Sequence, residues 1–505
     1  MKDRVIILTI FIVILNVMLL FGLPDVWAIG GERSPGQKER QKNTIKRFGV
    51  DGVTVEFIKT IAEIGDGWSG ANGLMWNMIE PQPPKHGEHF YRWAGIDNAL
   101  RRIQMTGRRL QVNIRVYNDW AVEYASRPVT VNPITGQKVN AFVRIKPEHL
   151  SAWAAFITEF VERYDADGYK DMPGIRYPIT HIQIESEPEA VWTSVDGYIE
   201  ALCTAYQAAK KACPDVQIMT GGFNMLDFFG LGQEKQKELL RTPFFQHAMS
   251  FIKEFFPKAK ACFNILSLHL EKGYESIPPT VKWFQQQMED NGYQKPIWSE
   301  DTASGPFLTA ISYEPKGSTR LSLLRQGDAE TIKWFRQEQA RLLIKKAVIA
   351  FGSGVDKVFI STDVDWSNFY YPMWRYMGLL DGKGNRKSAF YSFKTMVSKL
   401  DGFTNVESLA LGTDVFAYRF SKPSGIVYVL WSEKEKVVDL PVQSKNISIT
   451  DSFGNKFKVS PLKLRVNTSP IFVEEKHGEL TQHRAPESRK RILRPSLQEW
   501  MGERR

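Results

Sequence analysis

Between about residues 45 and 400, strand-like apolar runs alternate with helix-like ones, and this alternation constrains the fold more than any other feature of the chain. Strands are predicted near 48–57, 73–78, 109–117, 179–186, 216–221, 263–270, 296–300 and 356–363. Helices are predicted near 58–64, 92–106, 147–164, 195–212, 235–255, 278–290, 326–352 and 387–400. Eight successive β-α units point to an α/β fold, a (β/α)8 barrel with parallel strands inside and helices outside. The helices are read from periodicity. In 195–212, Ile199, Leu202, Cys203, Tyr206 and Ala209 recur at three- and four-residue steps and leave Lys210 and Lys211 outside.

Side chains of a barrel strand alternate between the helix-covered face and the interior. Leu110, Val112, Ile114 and Val116 oppose Gln111, Asn113, Arg115 and Tyr117. Ile182 and Ile184 oppose Gln183, Glu185 and Glu187, while Leu266, Leu268 and Leu270 oppose Ser267, His269 and Glu271. Val358 and Ile360 oppose Ser361, Asp363 and Asp365. Four strands are thus predicted to end in inward polar groups at their C-terminal ends, where barrel sites are built.

The flanks differ in kind. Residues 1–28 place Lys2 and Arg4 before an apolar run from Val5 to Leu23, then Val26-Trp27-Ala28. This is the layout of a secretory signal peptide, and the run is also long enough for an uncleaved membrane anchor through residues 5–23. Either implies export: secreted, periplasmic or at the cell surface. Residues 29–44 read as a linker, 45–402 as the barrel, and 403–475 as a small all-β sandwich of short strands. Residues 476–505 carry eight Lys/Arg against four Asp/Glu and read as a solvated basic tail. The net charge of +10 is spread along the chain and partly terminal, so no nucleic-acid partner is predicted. Cys203 and Cys213 lie too far apart on one predicted helix to pair, and all three cysteines are expected to be idle thiols. His86-Gly87-Glu88-His89 reads as a turn, and no metal or other cofactor is predicted.

Two carboxylates stand at strand ends, Glu187 in Ile184-Glu185-Ser186-Glu187-Pro188 and Glu300 in Ile297-Trp298-Ser299-Glu300-Asp301. With Ile79-Glu80-Pro81, Tyr91-Arg92-Trp93, Glu162-Arg163-Tyr164-Asp165-Ala166-Asp167-Gly168 and Met377-Gly378-Leu379-Leu380-Asp381, they appear in an order and spacing that resembles the clan A retaining glycoside hydrolases, of the family 5 and family 39 kind. The resemblance covers most of residues 45–475. It implies a metal-free glycosidase acting on an oligosaccharide, polysaccharide or glycoside by double displacement. Glu187, on the fourth strand, would be the acid/base, and Glu300, on the seventh, the nucleophile.

Around them, Arg115, Ser186, His269, Trp298, Asp363, Asp365 and Trp366 are expected to contact substrate or support the carboxylates. Arg115 would keep Glu300 ionised or instead pair with Glu185, and Trp366 would offer a ring face to a sugar. Two positions depart from the family pattern: Ser186 stands where Asn is usual, and Glu271 where the strand-6 Tyr is usual. A glycan-binding barrel without turnover and an envelope-anchored scaffold are the rival readings.

Overall fold

In the computed structural model, which describes residues 45–131, 138–225, 227–271, 273–306, 319–367, 372–442, 447–457 and 463–476, the predicted alternation closes into a barrel. The expected signal or anchor run, the linker and all but the first residue of the basic tail lie outside the described residues. Among the described residues no helix is long and apolar enough to cross a membrane.

The barrel strands are β1 (Phe48–Val50), β2 (Trp68–Met75), β3 (Arg109–Arg115), β4 (His181–Ile184), β5 (Gln217–Met219), β6 (Leu266–His269), β7 (Ile297–Ala303) and β8 (Lys357–Ser361). All pair in parallel, in the order β5-β4-β3-β2-β1-β8-β7-β6. Parallel bridges Met219–Ile265 and Phe223–Leu268 close the ring between β5 and β6. The strands are shorter than predicted at β1, where the chain turns through Gly52 at φ +62°, and β2 begins earlier than predicted. The long helix predicted over 235–255 divides into Gln233–Leu239 and Pro243–Ala259. Proline at the first helical position restarts the second piece.

Outward faces of the strands bury against the helices as the alternation requires: Leu110, Val112, Ile114, Ile182 and Ile184 are all buried in the main core. The interior is filled in two registers. Trp68, Met219, Ile265, Trp298 and Phe359 form a separate apolar cluster, the plug at the strand entrances. Gly49 leaves space for the plug, because a Cβ there would stand 2.3 Å from the Phe359 ring. The C-terminal ends carry polar groups instead.

Two features were not predicted. An antiparallel hairpin, Val122–Val131 with Lys138–Ile145, follows β3 and packs beside β4's exit through Phe142 and Trp192, whose rings are 5.3 Å apart. Its sequence signal is the β-branched run Val129-Thr130-Val131 ahead of Gly136. The second is a disulfide between Cys203 and Cys262, whose Cα atoms are 4.5 Å apart. This corrects the expectation of three idle thiols. Pairing within one helix was rightly excluded, but Cys262 comes from a neighbouring helix end that linear spacing does not reveal; Cys213 remains a free thiol.

Beyond the barrel, a six-stranded antiparallel sheet runs Asn405–Ser408, Val415–Lys422, Gly425–Ser432, Ile471–Lys476, Ile447–Asp451 and Lys456–Phe457. Period-two alternation divides its faces. Phe420, Val427, Val429, Trp431 and Phe472 join the barrel core, and Phe403 packs edge-on between Phe351 and Phe420 at 5.0 Å from each. Ala417, Tyr428, Leu430 and Val473 face the opposite way, against Val438, Leu464 and Val466 of a two-stranded ribbon.

Candidate active site

Glu187 is placed by a break in β4. After Ile184 the backbone enters left-handed conformations at Glu185 (φ +69°) and Glu187 (φ +47°), and Pro188 then opens a short helix. Such φ values are uncommon for non-glycine residues and mark functional turns when the surroundings enforce them. Here they are enforced by hydrogen bonds: Glu187 N–H donates to the Gly222 carbonyl at 3.2 Å, and Glu185 N–H to the Ile114 carbonyl at 2.9 Å. The same break turns the Glu185 side chain out of alternation, so its Oε1 accepts from Val116 N–H at 2.6 Å.

Glu300 is placed by a second irregularity. The pairing of β7 slips against both neighbours, between Ser267/His269 on β6 and between Val358/Ile360 on β8. A bulge re-aims side chains. Consecutive residues Glu300 and Asp301 consequently both act on the polar end of the barrel rather than on opposite faces.

His269 joins the two carboxylates. Its Nδ1 lies 3.0 Å from Glu187 Oε1 and its Nε2 2.9 Å from Glu300 Oε1. Burial pushes the imidazole pKa down, but the charges and hydrogen bonds of Glu300 and Glu187 outweigh it and raise the pKa well above the ordinary value. The side chain of Glu187 is 33% exposed and that of Glu300 2%. One carboxylate therefore stands at the mouth and the other on the floor of the same cleft.

Gly222 makes this contact possible. A Cβ at that position would lie 2.1 Å from His269 Cδ2 and 2.2 Å from Glu300 Oε1.

Further groups hold the carboxylates. Gln183 Nε2 donates to Glu300 Oε1, and Gln111 Nε2 donates to Gln183 Oε1 at 3.0 Å. Asn224 Nδ2 donates to Glu187 Oε1 at 2.7 Å and to Glu271 Oε2 at 3.1 Å. Asn224 N–H in turn donates to Glu189 Oε1 at 2.7 Å. Burial, then the Glu187 charge, pushes Glu189 up to about 8. Alternation puts Gln183 on the interior face but gives it no role, and nothing in the sequence pattern singles out Asn224. The spacing Glu187-Pro188-Glu189 gave no signal that the second carboxyl braces the first through Asn224.

The structure separates the other predicted residues. Ser186 is partly buried between the two left-handed residues, its backbone N–H toward the Glu185 carboxylate. Arg115 ends β3, and its charge acts on Glu185, not on Glu300, with which no ion pair forms. Trp298 corrects an expectation: two residues before Glu300, it points into the apolar plug, stacked on His181 at 4.7 Å and edge-on to Trp68 at 5.3 Å. Asp363 is fully buried and accepts from Thr54 N–H at 2.5 Å, tying the end of β8 to the turn after β1. Asp365 pairs with Lys387 Nζ at 2.7 Å and accepts from Gly378 N–H at 2.9 Å. Both aspartates are committed to loop structure because the chain beyond β8 leaves the strand at once, so alternation no longer describes it. Trp366 is partly buried against the barrel core. In the turn after β2, His86 and Gly87 take φ +53° and +83°, and His89 Nδ1 lies 2.6 Å from Glu80 Oε1.

Two groups of side chains offer metal-like donor sets, Glu187 with His269 and Glu271, and Asp165 with Asp167 and Asp171. In the first, the Asn224 amide donates into both glutamates, which opposes a cation at that point. In the second, Asp165 and Asp171 accept from backbone N–H groups of their own loop.

No protein-family model matches the chain, and no curated protein matches it by sequence. Solved structures do match. The chain is similar to a family 39 glycoside hydrolase from the gut symbiont Bacteroides cellulosilyticus WH2, with TM-score 0.57 and 15% identity over 85% of this chain and 81% of that one. The fold is shared. A monomeric beta-xylosidase from Caulobacter crescentus CB15 gives TM-score 0.54 and 12% identity over 86% and 96% of the two chains. A glucosidase from Croceicoccus marinus gives 0.53 and 12% over 86% and 97%. At such identities the likeness establishes a (β/α)8 barrel with an appended β domain.

Proposed function

We propose that this protein is an exported glycoside hydrolase that cleaves O-glycosidic bonds with retention of configuration. The observation that carries the proposal is the bridge Glu187–His269–Glu300, which brings strand-4 and strand-7 carboxylates to one cleft. Glycosidases need one carboxyl to protonate the leaving oxygen and a second to act as base or nucleophile. The half-open position of Glu187 suits the acid/base, which must meet the aglycone and later a water. The enclosed Glu300, held by Gln183 and His269, suits the nucleophile, which must keep one orientation toward the anomeric carbon. The barrel fold shared with glycosidases supports the class. Export is supported by the charged-then-apolar start of the chain and by the Cys203–Cys262 disulfide, since disulfides persist in oxidising compartments.

The test is a panel of aryl glycosides with Glu187→Gln and Glu300→Gln alongside the wild type. Glu187→Gln should lose about 10²–10⁴-fold on poor leaving groups and much less on activated ones, because the latter need no proton. Glu300→Gln should fail on both. Following the anomeric configuration of the first product by NMR reads the mechanism directly. An inverted first product would replace double displacement by single displacement, and unchanged rates in both variants would remove the assignment.

A further inference from the structure

The acid/base and nucleophile do not exhaust the carboxylates at this end of the barrel. Asp51, just past β1, is 4% exposed; its Oδ1 accepts from Asn72 Nδ2, and its Oδ2 lies 3.4 Å from the Ser361 hydroxyl on β8. The same hydroxyl reaches Asp301, whose other oxygen, Oδ1, is buried without a hydrogen-bond partner. Glu300, 1% exposed, likewise keeps Oε2 buried and unpartnered. Three carboxylates from β1 and β7 thus converge beside the reacting centre. No lysine or arginine among the described residues pairs with Asp51, Glu300 or Asp301, and both nitrogens of His269 are already engaged.

From this convergence, and resting on the glycosidase reading, we infer that the site takes a sugar bearing a free, protonated amine, a 2-amino-2-deoxy glycoside. Substituents on the carbon next to the anomeric one lie nearest the nucleophile during attack, and the amine is therefore placed at the 2-position. A hydroxyl there satisfies hydrogen bonds but leaves the mutual repulsion of the carboxylates, and a uronic acid adds to it. An ammonium donates three hydrogen bonds and offsets the charge. An N-acetyl group removes that charge. Burial and the neighbouring acids hold the Asp51 and Asp301 carboxyls well above their ordinary values, against the opposing charge of His269.

The experiment compares aryl glucosaminides with the matching glucosides and N-acetylglucosaminides, in both anomers, using kcat/KM and calorimetric binding of the free sugars' short oligomers. The amine should be preferred at least tenfold, and Asp51→Asn and Asp301→Asn, checked for folding by circular dichroism, should abolish the preference. Turnover that favours the glucoside or the N-acetyl sugar, or ignores the difference, overturns the inference and leaves the glycosidase reading standing. Preferential, charge-dependent binding of the amine with no turnover of any glycoside upholds the inference and sinks the glycosidase reading. Absence of both turnover and binding of the amine overturns the inference.

Discussion

The two ends of the barrel treat the same residue types in opposite ways. At the plug, His181 packs against Trp298 and Trp68, and burial, reinforced by Lys357 and Arg109, pushes its pKa down to about 3. At the mouth, His269 is as deeply enclosed, yet two carboxylates reverse the shift. Desolvation is common to both histidines, and the sign is decided by neighbouring charge. The contrast repeats within β7, where Trp298 and Glu300 share one face two residues apart. The first belongs to a layer that holds the strands together, the second to a layer that holds charges which the fold does not need.

If that division is right, mutations at the two layers should separate activity from stability. The largest effect is expected from Glu300→Gln, a loss on the order of 10⁴-fold in kcat with a thermal midpoint at or above that of wild type. Equal loss of stability would mean that Glu300 belongs to the structural layer. Trp298→Ala should do the reverse, costing about 3–5 kcal/mol by denaturant titration while the folded fraction keeps its turnover within a few-fold. Gly222→Ala tests the join between the layers. Its Cβ meets both His269 and Glu300, so kcat should fall roughly 10–100-fold, with about 1–3 kcal/mol of destabilisation. Wild-type kinetics in that variant would show that the bridge can shift without consequence.

The smallest effect concerns pH. Glu185 and Asp363 are pushed up to about 7 and Glu189 to about 8, in each case chiefly by burial. A carboxyl whose folded pKa lies above its unfolded value holds its proton better in the native state. Its stabilising contribution is therefore complete below the unfolded value near 4.3 and fades as pH rises through the folded one. His181 works oppositely, and only below its unfolded value near 6.5. Between pH 6.5 and 8 the carboxyls act without that opposition, and His269, raised, falls in with them. The thermal midpoint should drop across this window, and Glu189→Gln should flatten the drop by up to about 1.4 kcal/mol per pH unit. A midpoint that rises with pH would show that these carboxyls are ionised in the fold.

Much of this was readable from the chain because it depends on repetition. Period-two alternation identified β3, β4 and β6, and put His269 and Glu187 inside. It failed where the backbone stops being regular. For Trp298 alternation gives the face but not the depth, and the ring lies in the plug rather than in the cleft. Asp363 and Asp365 lie beyond a strand that ends at Ser361, where alternation no longer gives direction. Glu185 was turned aside by a left-handed residue, and Asp301 was brought in by a bulge, neither of which has a side-chain signature. Gly222, Asn224 and Cys262 matter only through neighbours distant in sequence.

The pairing of Cys203 with Cys262 closes a loop of 59 residues, and that loop contains β5, Gly222 and Asn224. Cross-links of this span restrict the unfolded chain by about 4 kcal/mol in the loop-entropy account. The segment that shapes the Glu187–His269–Glu300 bridge is thus a covalent ring whose tether depends on the host's redox state. The compartment in which the protein is produced then becomes a determinant of how well Glu187 is held, and preparations made under reducing and oxidising conditions need not share one geometry at that end of the barrel.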